Sequence, residues 1–526
     1  MLRVVIISLL LISIILFTTT RLNAKVTTQD ISKLENYNEG QKPVVLLIVD
    51  SLMDKPLQKA LTEGKVPTLS YLKAHGQYYP NLVSSYPTMS VSIDSTLLTG
   101  TYPEIHKLPG LVWYDEEEQR LINYGSGTKE VLKVGIKKVL YDSLYNLNNK
   151  HLSKDVKTVF EDLNESNLST ASINGLIYRG NDQHSLTIPK MASFFNLLPK
   201  QLQTNGPSIL SFGRLSQINP SNSKNNYIWK NLGVNDEFSA LELTHLINND
   251  KLPSFSIVYF PNLDHDVHKK GPNIIEGIEK VDRQLQQIVE AFPSPEKAIE
   301  NVTWIVLGDS AQSTIMNDNE KAIIDLRKVF NNYQIAKLGK PVAKSDQLVF
   351  AVNERMAYVY SLDDQVSLQD ISKQLMKDDR VDFISYIEED HILVHSVDKD
   401  SQLTFRPNGK MIDQYDQAWT INGDYSILDI KSENGIVTYG DYPDALARIY
   451  GSLHSHNGRY IITDAKPGFE FIGEKSPTHI GGAGHGSLHK VDSLSPLLIT
   501  GTKKKPANIR MIDLKSFILE LTTKKE

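Results

Sequence analysis

The stretch SSYPTMSVSIDSTLLTGTYPE, residues 84–104, is rich in serine and threonine. Hydroxyls at this density either cap helices or supply a nucleophile, and the stretch alone is compatible with both roles. A serine or threonine hydroxyl is a weak nucleophile at its ordinary pKa, so it needs a neighbouring base or a metal ion to activate it. The activating residues therefore have to lie elsewhere in the chain.

Three aspartates come soon after three short apolar runs. Asp50 follows VVLLIV, Asp264 follows IVYFPNL and Asp309 follows WIVLG. If the runs are parallel strands, the three carboxylates meet at one edge of a sheet, where their mutual repulsion favours a divalent cation. The alternative for each aspartate is to cap a following helix, which suits Asp50 before SLMDKPLQKALTEG. For the three together, a metal site explains the pattern better.

Two histidines strengthen the metal interpretation. His268 lies four residues after Asp264, so the two side chains share one face if the segment is helical. His485 lies in the glycine-rich segment GGAGHG, where the backbone can approach an ion closely. Taken alone, a histidine in such a loop is more often a surface residue.

The available ligand types restrict the metal and its chemistry. The chain has no cysteine, so imidazole and carboxylate groups must hold any ion, a set that suits zinc or manganese. Two such ions about 4 Å apart form the usual clamp for phosphoryl transfer. Coordination to one of them would also lower the pKa of a hydroxyl and so activate a nucleophile.

The elements that position these residues follow the alternation typical of an α/β fold. The apolar runs beginning at Pro43, Phe255 and Val302 predict strands buried on both faces. Helix-like patterns such as residues 274–291 separate them, which predicts a mostly parallel sheet covered by helices. Residues 315–468 have a different pattern of strands and helices, and we interpret that interval as an inserted α+β subdomain.

The N-terminal segment predicts export from the cytoplasm. Residues 4–20 form an uncharged, apolar run, and we interpret residues 1–24 as a signal peptide or an uncleaved anchor. We therefore expect an extracytoplasmic protein, secreted or anchored to the cell membrane by that run. Residues 25–42 are polar and are interpreted as a linker to a folded core of residues 43–314 and 469–515.

The composition excludes several classes of protein. The chain of 526 residues is 40% hydrophobic and 22% charged, as in ordinary globular proteins. Its formal net charge of -6 is mildly acidic and gives no sign of a basic surface for nucleic acid, so binding to a nucleic-acid duplex is not expected. The absence of cysteine excludes disulfide bonds and thiolate metal sites.

The order of the motifs resembles the alkaline phosphatase superfamily, and within it the type I phosphodiesterase (nucleotide pyrophosphatase) branch. YPTMS at residues 86–90 and TGTYPEIH at residues 99–106 are similar to that branch's YPTKT and TGLYPESH. Asp264–Pro272 also carries its D-x3-H-x2-GP. The resemblance implies an alkaline-phosphatase-like three-layer sandwich, with a central mostly parallel sheet and an inserted α+β cap subdomain.

The resemblance also implies roles for particular residues. In that branch the second hydroxyl of the YPTKT motif is the nucleophile, which corresponds here to Ser90. Two divalent metal ions, zinc in the first instance, are expected at two sites. One ion would be held by Asp264, His268 and His485, and the other by Asp50, Asp309 and Ser90 itself. Thr88 would then begin the helix that follows.

Three positions depart from the branch. Ser90 replaces a threonine and keeps the hydroxyl, Ser310 replaces a histidine ligand, and Leu111 replaces an asparagine that donates a hydrogen bond to phosphate. Losing one such donor costs other enzymes about 2.7–4 kcal/mol of transition-state stabilisation. Ser310 could still bind metal as a neutral oxygen, which manganese or magnesium tolerates better than zinc. The nearby side chains that could compensate are His106, His265 and Asp266, although each residue type is commoner in ordinary turns and surfaces.

The sequence therefore predicts an exported, metal-dependent phosphoric-ester hydrolase. The leading hypothesis is a phosphodiesterase that acts on a small phosphate ester or nucleotide-like substrate through a phospho-enzyme formed on Ser90. One alternative is a phosphomonoesterase, sulfatase-like hydrolase or envelope-polymer phosphotransferase of the same superfamily. Another is a catalytically impaired surface binding module, which the changes at Ser310 and Leu111 favour and the intact Asp and His ligands oppose.

Overall fold

The computed structural model describes residues 28–33 and 42–523. The predicted signal or anchor segment, most of the predicted linker and the last three residues lie outside these ranges. Within the described ranges, no helix combines the length and the apolar character needed to cross a membrane.

A seven-stranded sheet forms the centre of the molecule. Its middle strand, Val44–Val49, pairs in parallel with Thr303–Gly308 on one side and Phe255–Phe260 on the other. All three strands are buried along their whole length, as the continuous apolar runs predict. Across the sheet the order is Gly76–Val83, Leu494–Thr500, Thr303–Gly308, Val44–Val49, Phe255–Phe260, Thr170–Ile173 and Ile209–Ser211, with Leu494–Thr500 antiparallel to its neighbours.

Helices cover both faces of this sheet. Val45, Leu47 and Val49 point into one apolar cluster, and the alternate residues of the same strand point into another. The first cluster packs under helices Asp54–Thr62, Pro67–Ala74, Asp236–Asn248, Glu276–Val289 and Pro295–Asn301. The second packs under helices Ser90–Thr99, Val159–Glu165 and Met511–Thr523. The predicted three-layer α/β sandwich with a mostly parallel sheet is confirmed.

Shorter elements complete this part of the chain. Two hairpins pair Val112–Asp115 with Arg120–Asn123 and Asp182–Thr187 with Gln201–Gly206. The remaining helical segments are Pro103–His106, Thr128–Val134, Ile136–Tyr141, the π-helix Asp142–His151, Lys190–Phe194 and Asn262–Lys270, with short 3-10 turns at Ile31–Lys33, Gly213–Leu215, Asn222–Asn225 and Ile228–Gly233. Helix Asn262–Lys270 matters most here, because it carries Asp264 and His268.

A second sheet of nine strands lies within residues 348–465. Its strands are Leu348–Asn353, Met356–Ser361, Tyr460–Ala465, Val381–Glu388, His391–Ser396, Gln402–Asp413, Ala418–Gly423, Ile430–Glu433 and Ile436–Tyr439. Three helical segments accompany this sheet: Leu368–Leu375, Tyr425–Leu428 and Ala445–Leu453. Short elements connect the two sheets, at Ser313–Thr314, Asn319–Ala322, Ile323–Asp325, Leu326–Val329, Glu470–Ile472, Ala483–Gly484 and Lys490–Ser493. The exact limits of the inserted subdomain stay a prediction.

A buried ion pair ties the second sheet to the central one. Arg355, in the turn after strand Leu348–Asn353, pairs with Asp492 at 2.5 Å, and neither side chain has any solvent exposure. Arg355 also donates to the carbonyl of Ala465, and Asp492 accepts from the backbone and hydroxyl of Ser487. The pair therefore holds one turn of the second sheet against the chain just after His485.

Replacing Arg355 tests this connection. We expect Arg355→Leu to lower the free energy of unfolding by about 3–5 kcal/mol, because Asp492 would be left as an uncompensated buried charge. Urea unfolding followed by circular dichroism measures the change. The control is Arg327→Leu, which removes a pair on a 43%-exposed arginine with Asp325 and should cost at most about 1 kcal/mol. Equal, small losses in both variants would contradict the structural role of the Arg355 pair.

Candidate active site

The three predicted aspartates lie together at the carboxyl ends of three adjacent strands. Asp50 follows Val44–Val49 directly and Asp309 follows Thr303–Gly308 directly, while Asp264 lies in the first turn of helix Asn262–Lys270. Neither Asp50 nor Asp309 caps a helix, since the helix after Asp50 begins at residue 54 with Met53 as its cap. The capping alternative for Asp50 is therefore wrong.

Ser51 joins these carboxylates through two hydrogen bonds. Its backbone N–H donates to Asp309 Oδ1 at 3.0 Å, and its hydroxyl donates to Asp264 Oδ1 at 3.0 Å. Ser51 has φ 62°, a left-handed conformation that is costly for a residue with a Cβ and is concentrated at functional sites. The strained turn aims both donors at the carboxylate cluster.

Asp264, His268 and His485 form one candidate metal group. Their ligand atoms all lie within 4.8 Å of one another, and Asp264 Oδ1 is 3.1 Å from His268 Nε2. The helix over Asp264 and His268 places the pair on one face, as the i, i+4 spacing indicates. The three residues therefore supply one carboxylate and two imidazoles at one point.

Backbone carbonyls orient both imidazoles of this group. His268 Nδ1 lies 2.8 Å from the carbonyl of Ala483, and His485 Nδ1 contacts the carbonyl of Thr88. In a neutral ring whose Nδ1–H donates to a carbonyl, Nε2 is left without a proton, which is how histidines are usually held for metal binding. The contact also gives Thr88 a role that the sequence analysis missed.

The predicted role of Thr88 in starting the helix is wrong. Helix Ser90–Thr99 begins with Met89 as its cap, and no side chain caps it. The Thr88 hydroxyl instead accepts a hydrogen bond of 2.7 Å from the N–H of Gly486. Together with its carbonyl contact to His485, this bond fixes the glycine-rich loop against the nucleophile segment.

Ser90, Asp50 and Asp309 form the second candidate group. Ser90 is the first residue of its helix, is partly exposed, and donates from its hydroxyl to Asp309 Oδ2 at 2.8 Å. Asp50 accepts a hydrogen bond from the hydroxyl of Tyr259. Burial, followed by the charges of Asp309 and Asp264, holds the pKa of Asp50 well above its usual range.

In the group of Asp264, His268 and His485, neighbouring opposite charges shift the pKa values so that the charged forms are favoured. Burial opposes the charge on His268, but the carboxylates of Asp264 and Glu354 raise its pKa to about 10. Burial likewise opposes the charge of Asp264, yet His268 and His485 hold the pKa of Asp264 below its usual value. Both groups therefore favour a positive charge among the carboxylates, which a divalent cation supplies.

Glu354 and Gln312, like Ser51 and Tyr259, belong to the site but are absent from the sequence predictions. Glu354 lies in the turn after Leu348–Asn353, accepts from the His485 N–H at 3.0 Å, and lies 3.8 Å from His268 Nε2. Gln312 donates to the Ser51 hydroxyl at 2.8 Å and to Asp264 at 2.7 Å. Only the position of Gln312 three residues after Asp309 could have suggested it, because Glu354 comes from a distant part of the chain.

A further group of possible ligands adjoins the first. Glu354 and His479 share His268 with it, and their ligand atoms also lie within 4.8 Å of one another. His479 is already bound to Glu470, with Nδ1 2.9 Å from a carboxylate oxygen. Burial opposes protonation of His479, but Glu354 and Glu470 raise its pKa above the usual value.

The departures at Ser310 and Leu111 have different consequences. The Ser310 side chain is fully buried, and its hydroxyl has no hydrogen-bond partner among the described residues. Leu111 packs against apolar clusters, and its backbone N–H donates to Asn353 Oδ1 at 2.9 Å. The unpartnered hydroxyl oxygen of Ser310 could therefore serve as a metal ligand. The apolar side chain of Leu111 cannot donate a hydrogen bond to phosphate.

The three side chains considered as replacements lie elsewhere or are already bound. His106 is fully buried and bonds to the hydroxyl of Thr96 and to the N–H of Leu108, both at 3.1 Å. Asp266 pairs with Lys280 at 2.9 Å, and His265 is exposed. The described contacts therefore assign no metal-site role to any of them.

The chain is similar to known proteins both in sequence pattern and in fold. The sequence pattern of the family described as type I phosphodiesterase / nucleotide pyrophosphatase matches residues 44–487. Murine ectonucleotide pyrophosphatase / phosphodiesterase 5 superposes with a TM-score of 0.54 at 13% identity, over 92% of this chain and 95% of that one. An inactive variant of it, in complex with AMP, gives 0.55 at 12% identity over the same shares.

A bacterial enzyme has the same fold. Phosphonoacetate hydrolase from Sinorhizobium meliloti 1021, in complex with phosphonoformate, superposes with a TM-score of 0.54 at 12% identity, over 95% of this chain and 100% of that one. Among curated proteins, none matches this sequence. At such identities these structural similarities establish the fold alone. Membership of a family is decided by the sequence pattern that matches residues 44–487.

Two aspartates on one helix provide a matched test of the first metal group. We expect Asp264→Asn to reduce the divalent metal bound per chain from two ions to one, because it removes the carboxylate of the first group. Elemental analysis of protein never exposed to chelator measures the content. Asp266→Asn, two residues along on the same helix but paired with Lys280, should retain both ions. An Asp264→Asn variant with unchanged metal content would rule out this ligand assignment.

Proposed function

Because the chain belongs to the type I phosphodiesterase / nucleotide pyrophosphatase family, we propose that it is an exported, metal-dependent phosphodiesterase that reacts through Ser90. One observation carries the proposal: the partly exposed Ser90 hydroxyl donates to Asp309 at 2.8 Å, beside a cluster of buried and half-buried carboxylates and imidazoles. This arrangement combines an accessible nucleophile with groups that can hold cations at phosphate.

The donor set fits two divalent ions. Asp264, His268 and His485 would hold one, and Asp50, Asp309 and Ser90 the other, with the orphaned Ser310 hydroxyl available beside Asp309. Zinc suits the imidazole-containing group, and manganese or magnesium also suits the oxygen-rich one. Bound there, the ions would neutralise phosphate charge and lower the pKa of the nucleophilic hydroxyl.

The chain's own residues account for the course of the reaction. Ser90 Oγ forms a bond to phosphorus as the bond to the leaving oxygen breaks, and its proton passes by way of Asp309, the carboxylate that already accepts its hydrogen bond, to the leaving oxygen. Water then attacks the phosphorus, which is still bonded to the remaining ester group, the bond to Ser90 Oγ breaks, and one proton of the water passes to Ser90. Ser51 and Gln312 keep Asp264 and Asp309 in place during both steps.

The substrate class rests on the family and on the character of the site. One neighbour of known structure is in complex with AMP and another with phosphonoformate, both small phosphorus-containing anions. The two cation groups side by side suit a small phosphate ester of this kind. A catalytically impaired binding module would not need Asp264, His268 and His485 to lie together as metal ligands. We therefore favour the enzyme.

Export is proposed on the sequence alone. The apolar run at residues 4–20 would direct the chain across the membrane, as a cleaved signal or as an anchor. The catalytic residues would then act outside the cytoplasm.

Removing the nucleophile tests the reaction path. Ser90→Ala should abolish turnover, a loss of at least about 10⁴-fold, while the protein still binds divalent metal through its remaining ligands. Mass spectrometry of the wild type, acid-quenched during turnover of a phosphodiester, should detect the phosphoryl group with its remaining ester substituent on Ser90. The control is Ser92→Ala on the same helix, whose hydroxyl bonds to the carbonyl of Leu108 away from the carboxylates. Full activity in Ser90→Ala would eliminate Ser90 as the nucleophile.

A substrate panel separates the proposed reaction from its relatives. We expect bis-p-nitrophenyl phosphate to be hydrolysed with a kcat/KM at least about tenfold above that for p-nitrophenyl phosphate, with p-nitrophenyl sulfate slower still. A preference for the monoester would indicate a phosphomonoesterase, and a preference for the sulfate would indicate a sulfatase-like enzyme. Either result would overturn the phosphodiesterase assignment while leaving the role of Ser90 intact.

A further inference from the structure

Glu354 is brought to the active site by a tight turn of the second sheet. It is the first of the two residues that join strand Leu348–Asn353 to strand Met356–Ser361. The residues on either side of it fix the turn, because Asn353 accepts a backbone N–H from the nucleophile side of the site and Arg355 forms a buried ion pair. The Glu354 side chain is therefore held at one place, and it is only 12% exposed.

The two carboxylate oxygens of Glu354 have different surroundings. Oε2 accepts a hydrogen bond of 3.0 Å from the backbone N–H of His485. Oε1 lies 3.8 Å from Nε2 of His268 and 3.9 Å from Nε2 of His485, too far for a hydrogen bond to either ring. One oxygen thus fixes the glycine-rich loop, and the other faces two imidazole nitrogens without bonding to them.

Those two nitrogens are the ones that the first candidate metal group offers. The Nδ1 atoms of both rings contact backbone carbonyls, which leaves Nε2 of each for an ion. Asp264 Oδ1 lies 3.1 Å from Nε2 of His268. Two ligands that are each about 2.1 Å from one zinc ion lie at most about 4.2 Å apart. The distances from Glu354 Oε1 to the two nitrogens are within that limit, so the same ion can reach it.

We propose that Glu354 is a fourth protein ligand of the ion held by Asp264, His268 and His485, and that it binds through Oε1. The inference rests on the proposed function and makes its first metal site more specific. The site would then consist of two carboxylates and two neutral imidazoles, whose charge balances that of a divalent ion. A fifth coordination position would remain for water or substrate, as in zinc enzymes whose ion expands its coordination.

Backbone geometry alone does not explain the glutamate. Glu354 has φ 58°, but Glu389 has φ 55° at the first position of the two-residue turn between strands Val381–Glu388 and His391–Ser396. The Glu389 side chain is exposed. A glutamate is therefore tolerated in this conformation without any site. What distinguishes Glu354 is its position beside the imidazoles, and Glu389 provides a matched control.

The neighbouring group of His268, Glu354 and His479 is a less suitable place for the ion. His479 directs both its backbone N–H and its Nδ1 at the buried carboxylate of Glu470, at 2.7 and 2.9 Å. From Glu354 it is 3.8 Å away, on the side of Oε2, the oxygen that already accepts from His485. Because His268 has a single Nε2, it can serve only one of the two groups at a time.

Zinc titration of the full chain tests the role of Glu354. After removal of metal, Zn²⁺ is added in competition with a chromophoric chelator, and circular dichroism confirms that each variant is folded. Glu354→Gln keeps an oxygen that can accept from the His485 N–H but loses the charge. Asp264 is nearer to His268 than Glu354 is, so we expect weakening rather than complete loss: one site unchanged and one weakened about 10–100-fold. The control Glu389→Gln should bind two ions as the wild type does.

A second pair of variants locates the effect. In Asp264→Asn, which should retain only the ion of the second group, adding Glu354→Gln should cause no further loss of affinity, because both residues would act on the same ion. His479→Gln should keep both sites. A further loss in the double variant, or a loss in His479→Gln equal to that in Glu354→Gln, would overturn the inference.

The same titration separates this inference from the proposed function. If the wild type binds two ions and Glu354→Gln binds both equally well, Glu354 only fixes the loop of His485, and the ligand assignment is refuted while the phosphodiesterase proposal stands. If the wild type binds no zinc, the ligand assignment and the metal-dependent function are overturned together.

Discussion

Repulsion among the carboxylates at the end of the central sheet governs the organisation of the active site. Three adjacent parallel strands deliver Asp50, Asp264 and Asp309 to one edge. Burial and the charges of Asp309 and Asp264 raise the pKa of Asp50, whereas His268 and His485 lower the pKa of Asp264. Such a cluster is stable as an ionised set only with cations, so the same arrangement that strains the metal-free protein prepares it to bind them.

One turn of the second sheet supports this cluster through three consecutive residues. Asn353 accepts from the N–H groups of Leu111 and its neighbour, Glu354 accepts from the N–H of His485, and Arg355 pairs with Asp492. Each of the three contacts a different segment around the active site. The second sheet is therefore more than a cover, because it fixes the loop that carries His485 and places a further carboxylate beside the imidazoles.

The parts of this arrangement that depend on local sequence could be predicted. Continuous apolar runs identify the buried strands, and the i, i+4 spacing of Asp264 and His268 identifies a shared helical face. Glu354 could not be found this way, because its position depends on how a distant hairpin packs against the central sheet. Thr88 was misassigned because its hydroxyl bonds across the fold to Gly486 rather than to its own helix.

Asp94 is a residue whose environment could not be predicted from local sequence. It stands four residues after Ser90 in the hydroxyl-rich stretch, the same spacing that identifies Asp264 and His268. What the spacing could not show is that both its oxygens are buried without partners. Anomalous X-ray diffraction from crystals of the metal-loaded protein tests the central claim most directly. We expect two peaks, one among Asp264, His268 and His485, and one beside Asp50, Asp309 and Ser90. A single peak, or two peaks remote from these carboxylates, would contradict it.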